Sequence, residues 1–562
     1  MDASRVHHRR WAILAVLCVS LLVVGLDNTI LNVALPTLVR DLHASASQLQ
    51  WIVDAFTIVY AGLVITAGSL GDRIGRKATL FVGLAIFGLG SGLSAFSGSA
   101  DELIAFRALM GVGGALVLPS TLSILTNVFV VPAERAKAIG IWSGTSGLGI
   151  AIGPIVGGWL LSHFWWGSVF LVNVPVCAIG LLAIALMVPS SKDPAARPAD
   201  PTGTVLSIAG LGLLLWGIIE APVYGWTSPS ALIGIAAGVV VLGAFVLWER
   251  HCDHPMFRMD FFSNPRFSAA SVSVALVFFA LFGALFLLTQ YLQSVLGYSP
   301  LSAGLRIAPV ALMLALGSPA SALLDRRIGT KVTVGAGLAI VAVGMVLLTR
   351  LSVTSSYVYV LTAIMVLGLG MGLTLAPSTE AIMGSLPKEE AGVGSAMNGT
   401  TIQVGGAVGV AVLGSLLDQR YRSHLGAALA LQHAPASLVH TVESSLGAAL
   451  VVGRKLGGAP GHGLVALART SFVSGVNLAD LVGVGVAVLG VLVALLFLPS
   501  RAQPGVVEAH EAARPEAPTG AVEEIADPAG EGDLADGAGL ADGAGNGAPG
   551  GEVRSGSASM ER

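Results

Sequence analysis

Fourteen apolar stretches, each close to the length of a bilayer-spanning helix, dominate this chain of 562 residues. They run approximately over 11–35, 49–69, 78–97, 103–128, 137–161, 168–188, 203–222, 231–249, 267–291, 302–324, 332–350, 357–384, 392–417 and 475–498. About 20 residues of helix cross the roughly 30 Å hydrocarbon core of a bilayer. Lipid offers backbone amides no water, so segments of this kind must bond internally as helices. Composition agrees: 54% of residues are hydrophobic and 11% charged, against about 25% charged in soluble domains. The expected class is an all-α integral membrane protein, with the lipid bilayer as partner and no nucleic acid.

Lys and Arg orient the helices. With the N-terminus in the cytoplasm, the inside segments hold 21 of the 30 basic residues, four of them in the tail. The outside segments hold seven, five of them in the connection 418–474. Arg107 and Arg306 sit inside helices. This alternation requires an even number of spans and places both termini in the cytoplasm of a multi-pass plasma-membrane protein. The opening MDASRVHHRR leads into a run longer than a signal-peptide core, so it reads as a retained first helix. The final residues, 499–562, are rich in Gly, Ala and Pro, and 501–562 carry 12 acidic against 4 basic side chains. Such a segment buries too little apolar surface to fold and is expected to be a disordered acidic tail. The connection 418–474 contains apolar pieces and is read as an extracellular loop, with a helical hairpin as one form it can take.

Three pieces recur along the chain. DRIGRKATL (72–80) matches RRIGTKVTV (326–334), PAERAKAIGIWSGT (132–145) matches PKEEAGVGSAMNGT (387–400), and LPST (118–121) matches APST (376–379). The offsets are 254, 255 and 258 residues. The first pair is eight helices apart, so the copies share one orientation, as in a parallel transporter repeat. The expected architecture is 6 + 2 + 6: a cytoplasmic N-terminus at 1–10, a six-helix bundle at 11–188, a two-helix insertion at 189–266, and a second bundle at 267–498.

Position and motif together carry a resemblance. GSLGDRIGRKATL between the second and third helices resembles the loop signature of the major facilitator superfamily. The fourteen-helix count resembles that superfamily's drug:proton antiporter branch. LDNTILNVALP in the first helix is similar to the same branch. The resemblance implies a major facilitator fold working by alternating access.

It also implies roles for particular residues. Gly68, Asp72, Arg73, Gly75 and Arg76 would form a cytoplasmic latch. Positive-inside anchoring explains the basic residues of that loop but not Asp72. In helix 5, Gly149, Gly153, Pro154, Gly157 and Gly158 match the antiporter signature of drug exporters. Three of these glycines are four residues apart and share a face, which permits close helix contact. Arg107, in the fourth helix, would assist proton coupling, although Met110 stands where Gln is common. Snorkelling of Arg107 to the surface is the alternative.

Asp27 needs no resemblance to attract attention. A charged side chain in mid-bilayer costs roughly 2.5–3.5 kcal/mol on insertion scales. A nearby arginine favours the carboxylate and burial disfavours it, so a pair that opens and closes with conformation would bind and release a proton. Asp27 is therefore the candidate proton-coupling residue, with Arg107 as its partner. A fixed structural ion pair, or an Asp bonded to helix backbone, is the competing reading. Asn32 and Glu380 are candidate substrate contacts. Asp54, Glu220 and Asp480 lie near outer helix ends, where water is expected to reach them.

No G-xxxx-GK-[ST] loop, catalytic triad or metal-ligand spacing stands out, and Cys18, Cys177 and Cys252 lie far apart. The expectation is a non-enzyme without cofactors, driven by a proton gradient. It would exchange protons for a hydrophobic or cationic drug or antibiotic, as a monomer. A proton-coupled or facilitated metabolite carrier and a transport-dead membrane sensor are the alternatives.

Overall fold

The computed structural model describes residues 3–192, 200–253, 255, 259–386, 391–431 and 434–499. The segment 193–199, the repeat piece beginning at 387 and the acidic tail from 500 onward thus fall wholly or partly outside the described residues. Every regular element described is helical. In order they are α1 (Ala3–Asp41), α2 (Ala46–Ile74), α3 (Arg76–Ala95), α4 (Ala100–Val128), α5 (Pro132–His163), α6 (Ser168–Leu171), α7 (Asn173–Met187), α8 (Pro201–Tyr224) and α9 (Pro229–His251). Then follow α10 (Pro265–Gln290), α11 (Pro300–Ile307), α12 (Pro309–Ile328), α13 (Thr330–Leu348), α14 (Tyr357–Met383), α15 (Ala391–Leu431), α16 (Ala436–Glu443), α17 (Leu446–Leu456) and α18 (Gly458–Phe497). Among the described residues, 12 helical spans are long and apolar enough to cross a membrane. Helices α2 and α5 are also long, at 29 and 32 residues. Side-chain caps define several starts: the hydroxyls of Ser45, Ser99, Ser228 and Ser356 each accept from a backbone N–H in the first turn that follows.

Helices α1 to α7 pack among themselves, chiefly α2 and α3 on α4 and α1 on α5. Helices α10 to α15 and α18 form a second set, with α13 and α12 on α14 and α10 on α15. The repeat seen in the sequence extends to the contacts. A Cβ added at Gly113 of α4 would lie 2.5 Å from the backbone nitrogen of Phe87 on α3, and one at Gly370 of α14 would lie 2.6 Å from that of Val341 on α13. Glycine at these places lets two backbones touch, which suits helix pairs in lipid. The repeated loop is also a repeated turn. Gly75 joins α2 to α3 at φ +122°, and Gly329 joins α12 to α13 at φ +84°. Each donates its N–H back four residues, to Gly71 and Asp325 respectively.

Helix α8 lies in the seam between the two sets. Its Leu211, Leu215 and Ile219 pack with Ile58 of α2 and with Ala407 and Ala411 of α15. Helix α9 packs on α8 and touches neither set as closely. The connection 418–474 is mostly helical: α15 runs on to Leu431, α16 and α17 follow, and α18 begins at Gly458. Tyr421 of α15 donates to the Val442 carbonyl at 2.8 Å, which ties α16 to the extended end of α15.

Candidate functional site

Asp27 is fully buried in α1, and Arg107 is buried in α4 with 1% exposure. The two form an ion pair through Arg107 NH1 and Asp27 Oδ2. Snorkelling of Arg107 is therefore excluded in this structure. The guanidinium also donates through Nε to the Ile52 carbonyl of α2 at 3.0 Å and lies 4.6 Å over the Phe56 ring. A buried charge is tolerated when paired and hydrogen-bonded, and this arginine has a carboxylate, a carbonyl and an aromatic face. Met110, at the position where Gln is common, places its sulfur 4.0 Å from Arg107 NH1.

The other carboxylate oxygen has a partner that the sequence reading missed. Asn173, at the start of α7, donates from Nδ2 to Asp27 Oδ1 at 3.4 Å and to Ser91 Oγ of α3 at 3.0 Å. Ser91 in turn donates to the Phe170 carbonyl at 2.8 Å. The site thus draws on α1, α2, α3, α4, α6 and α7. A signal for Asn173 exists in the sequence: it is the lone amide in the apolar run SVFLVNVPVCAIG. Polar side chains inside spans deserve a functional reading by default.

The glycine face of α5 packs on the same stretch of α1. An added Cβ at Gly149 would lie 2.9 Å from the Gly25 carbonyl carbon; at Gly153 it would meet the Thr29 side chain; at Gly157 it would lie 2.6 Å from Ile30 Cγ1. Thr29 donates to the Gly149 carbonyl at 3.1 Å. Pro154 and Gly158 face the second set of helices instead. A Cβ at Gly158 would lie 2.5 Å from Leu301 Cα on α11, and Gly304 of α11 packs against the Pro154 carbonyl. Gly140 and Gly144, earlier on α5, have open space where a Cβ would go.

Between the sets lies a small cavity lined by Thr29, Asn32, Pro154, Leu285, Thr289 and Ile307, among others. Asn32 is buried, donates to the Asn28 carbonyl at 3.3 Å, and leaves its Oδ1 without a partner. Thr29 and Asn32 lie within two turns of Asp27 on the same helix, so α1 carries both the ion pair and part of the cavity wall.

The remaining candidates separate. Glu380, near the end of α14, is exposed and is not among the residues lining that cavity. Of the expected latch residues, Gly68 lies in the last two turns of α2 and is half-buried, with room for a Cβ 3.4 Å from Pro119 Cβ of α4. Arg73 is exposed, and the backbone N–H of Arg76 donates to the Ser191 carbonyl at 2.9 Å. Asp72 belongs to α2, but its side chain falls outside the described residues. The expected access of water to Asp54 and Asp480 is corrected: both are buried, at 0% and 1% exposure, because α15 packs on both α2 and α18, and because α18 begins at Gly458, which leaves Asp480 mid-helix. Glu220 is half-buried. Among the described residues, no three His, Cys, Asp or Glu side chains group to hold a metal. The three cysteines are free.

Comparison with known proteins places this geometry. The sequence profile of the Major Facilitator Superfamily matches residues 17–410. The chain is 37% identical over 507 residues to the multidrug efflux pump LfrA of Mycolicibacterium smegmatis, covering 90% of this chain and 97% of LfrA. It is 34% identical over 503 residues to the tetracenomycin C resistance and export protein of Streptomyces glaucescens, covering 88% and 92%. It is 31% identical over 470 residues to the methyl viologen resistance protein SmvA of Salmonella typhimurium, covering 83% and 93%. In fold it is similar to the crystal structure of a bacterial homolog of the human lysosomal transporter Spinster, with a TM-score of 0.64 at 19% identity over 88% of this chain and 99% of that one. With its repeated helical halves and a profile match over most of its length, this chain belongs to the Major Facilitator Superfamily.

Proposed function

We propose that this protein is a proton-driven exporter of hydrophobic or cationic drugs or antibiotics. The observation that carries the reading is the buried Asp27–Arg107 pair, joined through one helix to the cavity between the halves. Export, rather than uptake, is supported by relatives whose names describe efflux, export and resistance. Energy would come from the proton gradient, with no cofactor and no catalysed reaction.

The architecture in this proposal has fourteen spans arranged 6 + 2 + 6, with α6 and α7 read as one span and α11 and α12 as another. The N-terminal bundle covers 11–188, the insertion 189–266 and the C-terminal bundle 267–498. Both termini lie in the cytoplasm and the protein works as a monomer in the plasma membrane. The turn at Gly75 then faces the cytoplasm and the α16–α17 hairpin faces outside. Gly68, Asp72, Arg73, Gly75 and Arg76 serve as the cytoplasmic latch.

The chemistry follows from competition for one carboxylate. While Arg107 and Asn173 both contact Asp27, its charged form is stabilised and the proton is off. When α1 shifts relative to α4, the pair lengthens in a dry interior, the charged form loses its partner, and a proton binds. The glycine face of α5 grips α1, while Pro154 and Gly158 of α5 touch α11 in the other half. Rocking of the halves is thereby passed to α1. Drug in the cavity would meet Asn32, and Glu380 would meet a cation entering from the cytoplasm. Alternating access around a central site has this general form.

The test is drug accumulation in cells. Cells expressing the protein should hold severalfold less ethidium than cells with an empty vector, and a protonophore should remove the difference. Equal accumulation across a panel of lipophilic cations and antibiotics would contradict export and favour a carrier of one metabolite.

A further inference from the structure

A second cavity, of about 460 Å³, lies against the end of α1 away from the α2–α3 turn. Its walls come from both halves: Arg40 of α1, Gln293 and Tyr298 of the segment linking α10 to α11, Arg454 of α17 and Arg469 of α18. Among the described residues, none of those lining it is Asp or Glu. The cavity is donor-rich, with three guanidinium groups, an amide and a phenol.

The three arginines have few obligations. Arg40 donates from NH2 to Thr37 Oγ1 at 2.9 Å, Arg454 from Nε to its own-helix Leu450 carbonyl at 3.3 Å, and Arg469 from Nε to the Ser294 carbonyl at 3.1 Å. None of the three forms an ion pair among the described residues. A fourth arginine, Arg306, stacks 4.0 Å over the ring of Tyr298. Arg40 and Arg454 are exposed and Arg469 is half-buried, so solvent screens part of their mutual repulsion, and a bound anion would remove the remainder. Guanidinium forks match the planar, multidentate edges of oxyanions.

The orientation proposed above sharpens the point. On that reading the cavity opens outside, where the positive-inside rule disfavours basic residues. Seven Lys and Arg lie in the outside segments, and Arg40, Arg454 and Arg469 are three of them. Their convergence on one cavity is not explained by membrane topology.

We infer that this cavity is a binding site for a phosphate-type oxyanion, which bridges the two halves through Arg40 on one side and Arg454 and Arg469 on the other. The bridge exists while the outer ends are together. Gln293 marks the same closure, donating across the halves to the Val33 carbonyl at 2.8 Å. A bound anion therefore favours the outward-closed state. The cavity is roomy enough for either free phosphate or the headgroup of an anionic lipid, which share this chemistry.

The experiment uses the full chain in nanodiscs of phosphatidylcholine, where both faces are open to solution and no transport is required. Thermal unfolding is followed against added inorganic phosphate, and separately against an increasing share of phosphatidylglycerol. Two variants are compared with wild type: Arg40→Gln/Arg454→Gln/Arg469→Gln, and the charge-matched control Arg350→Gln/Arg420→Gln/Lys455→Gln, none of whose positions lines the cavity. Saturable stabilisation by phosphate, weakened at least tenfold in midpoint concentration in the first variant and kept in the second, supports the site with a free anion as ligand. The same pattern with phosphatidylglycerol alone supports it with a lipid headgroup. No saturable response to either, or an equal loss in both variants, overturns it. Failure here leaves ethidium export intact, and failure of export leaves this binding intact, so the two proposals are separable.

Discussion

Arg107 bridges three helices from one side chain: its NH1 holds Asp27 of α1 while its Nε holds the Ile52 carbonyl of α2, 3.0 Å away. The arginine is thereby fixed to α2 and α4 independently of the carboxylate. Asp27 is held more loosely on its far side, by Asn173 at 3.4 Å. In the proposed exchange the arginine is the anchored partner, and α1 is the element expected to move.

Removing one partner of this pair strands the other. Arg107→Met should destabilise the protein, because it leaves the buried Asp27 carboxylate without its counter-charge; losing one partner of a buried pair costs roughly 3–5 kcal/mol while the survivor stays charged, and less once Asp27 takes up a proton. Asp27→Asn/Arg107→Met should recover much of that loss, since the carboxylate is gone as well. Thermal unfolding of the purified single and double variants checks this. A double variant as unstable as Arg107→Met would show that arginine packing, not charge pairing, is what matters.

The glycines of α5 should not behave alike. Gly153→Val drives a side chain into Thr29, and overpacking of this kind typically costs 1–3 kcal/mol. Gly144→Ala enters open space and should be neutral or stabilising by up to about 1 kcal/mol, since Ala is the better helix former. Parallel melting curves and ethidium export separate the two. Comparable damage from both would contradict the packing described.

The repeated turns make a paired test. At Gly75 and Gly329 the backbone is in the positive-φ region. Gly75→Ala and Gly329→Ala should each cost about 1–3 kcal/mol through backbone strain. Measured unfolding that is indifferent to both changes would argue against these turns.

Sequence and structure agree most closely where lipid imposes the rules. Runs of apolar residues, a basic loop with glycine at its centre and a repeat at nearly equal offsets are all local or periodic signals, and each appears as helix, tight turn or matching contact. The pairing of Asp27 with Arg107 was legible because charges are so costly in spans that two of them demand each other. Asn173 and Ser91 were not found, since a neutral amide or hydroxyl inside a helix is common and its partner lies on another element. The burial of Asp54 and Asp480 was misread for a related reason. Position along an apolar run gives depth, but α18 begins at Gly458, well before that run, so Asp480 lies mid-helix, and it is the packing of α15 on α2 and α18 that covers both acids. The reach of α15 to Leu431 was hidden by the polar residues of DQRYRSH, which read as a loop but continue as helix beyond the apolar span.

The central claim is that Asp27 carries the exchanged proton. Inside-out vesicles bearing the protein, preloaded with an acid interior, would receive a lipophilic cation while a dye follows internal pH. The account expects drug-triggered alkalinisation in wild type, and none in Asp27→Asn, with the variant folded and still binding the drug. Undiminished alkalinisation in Asp27→Asn would contradict it and move the proton to another group.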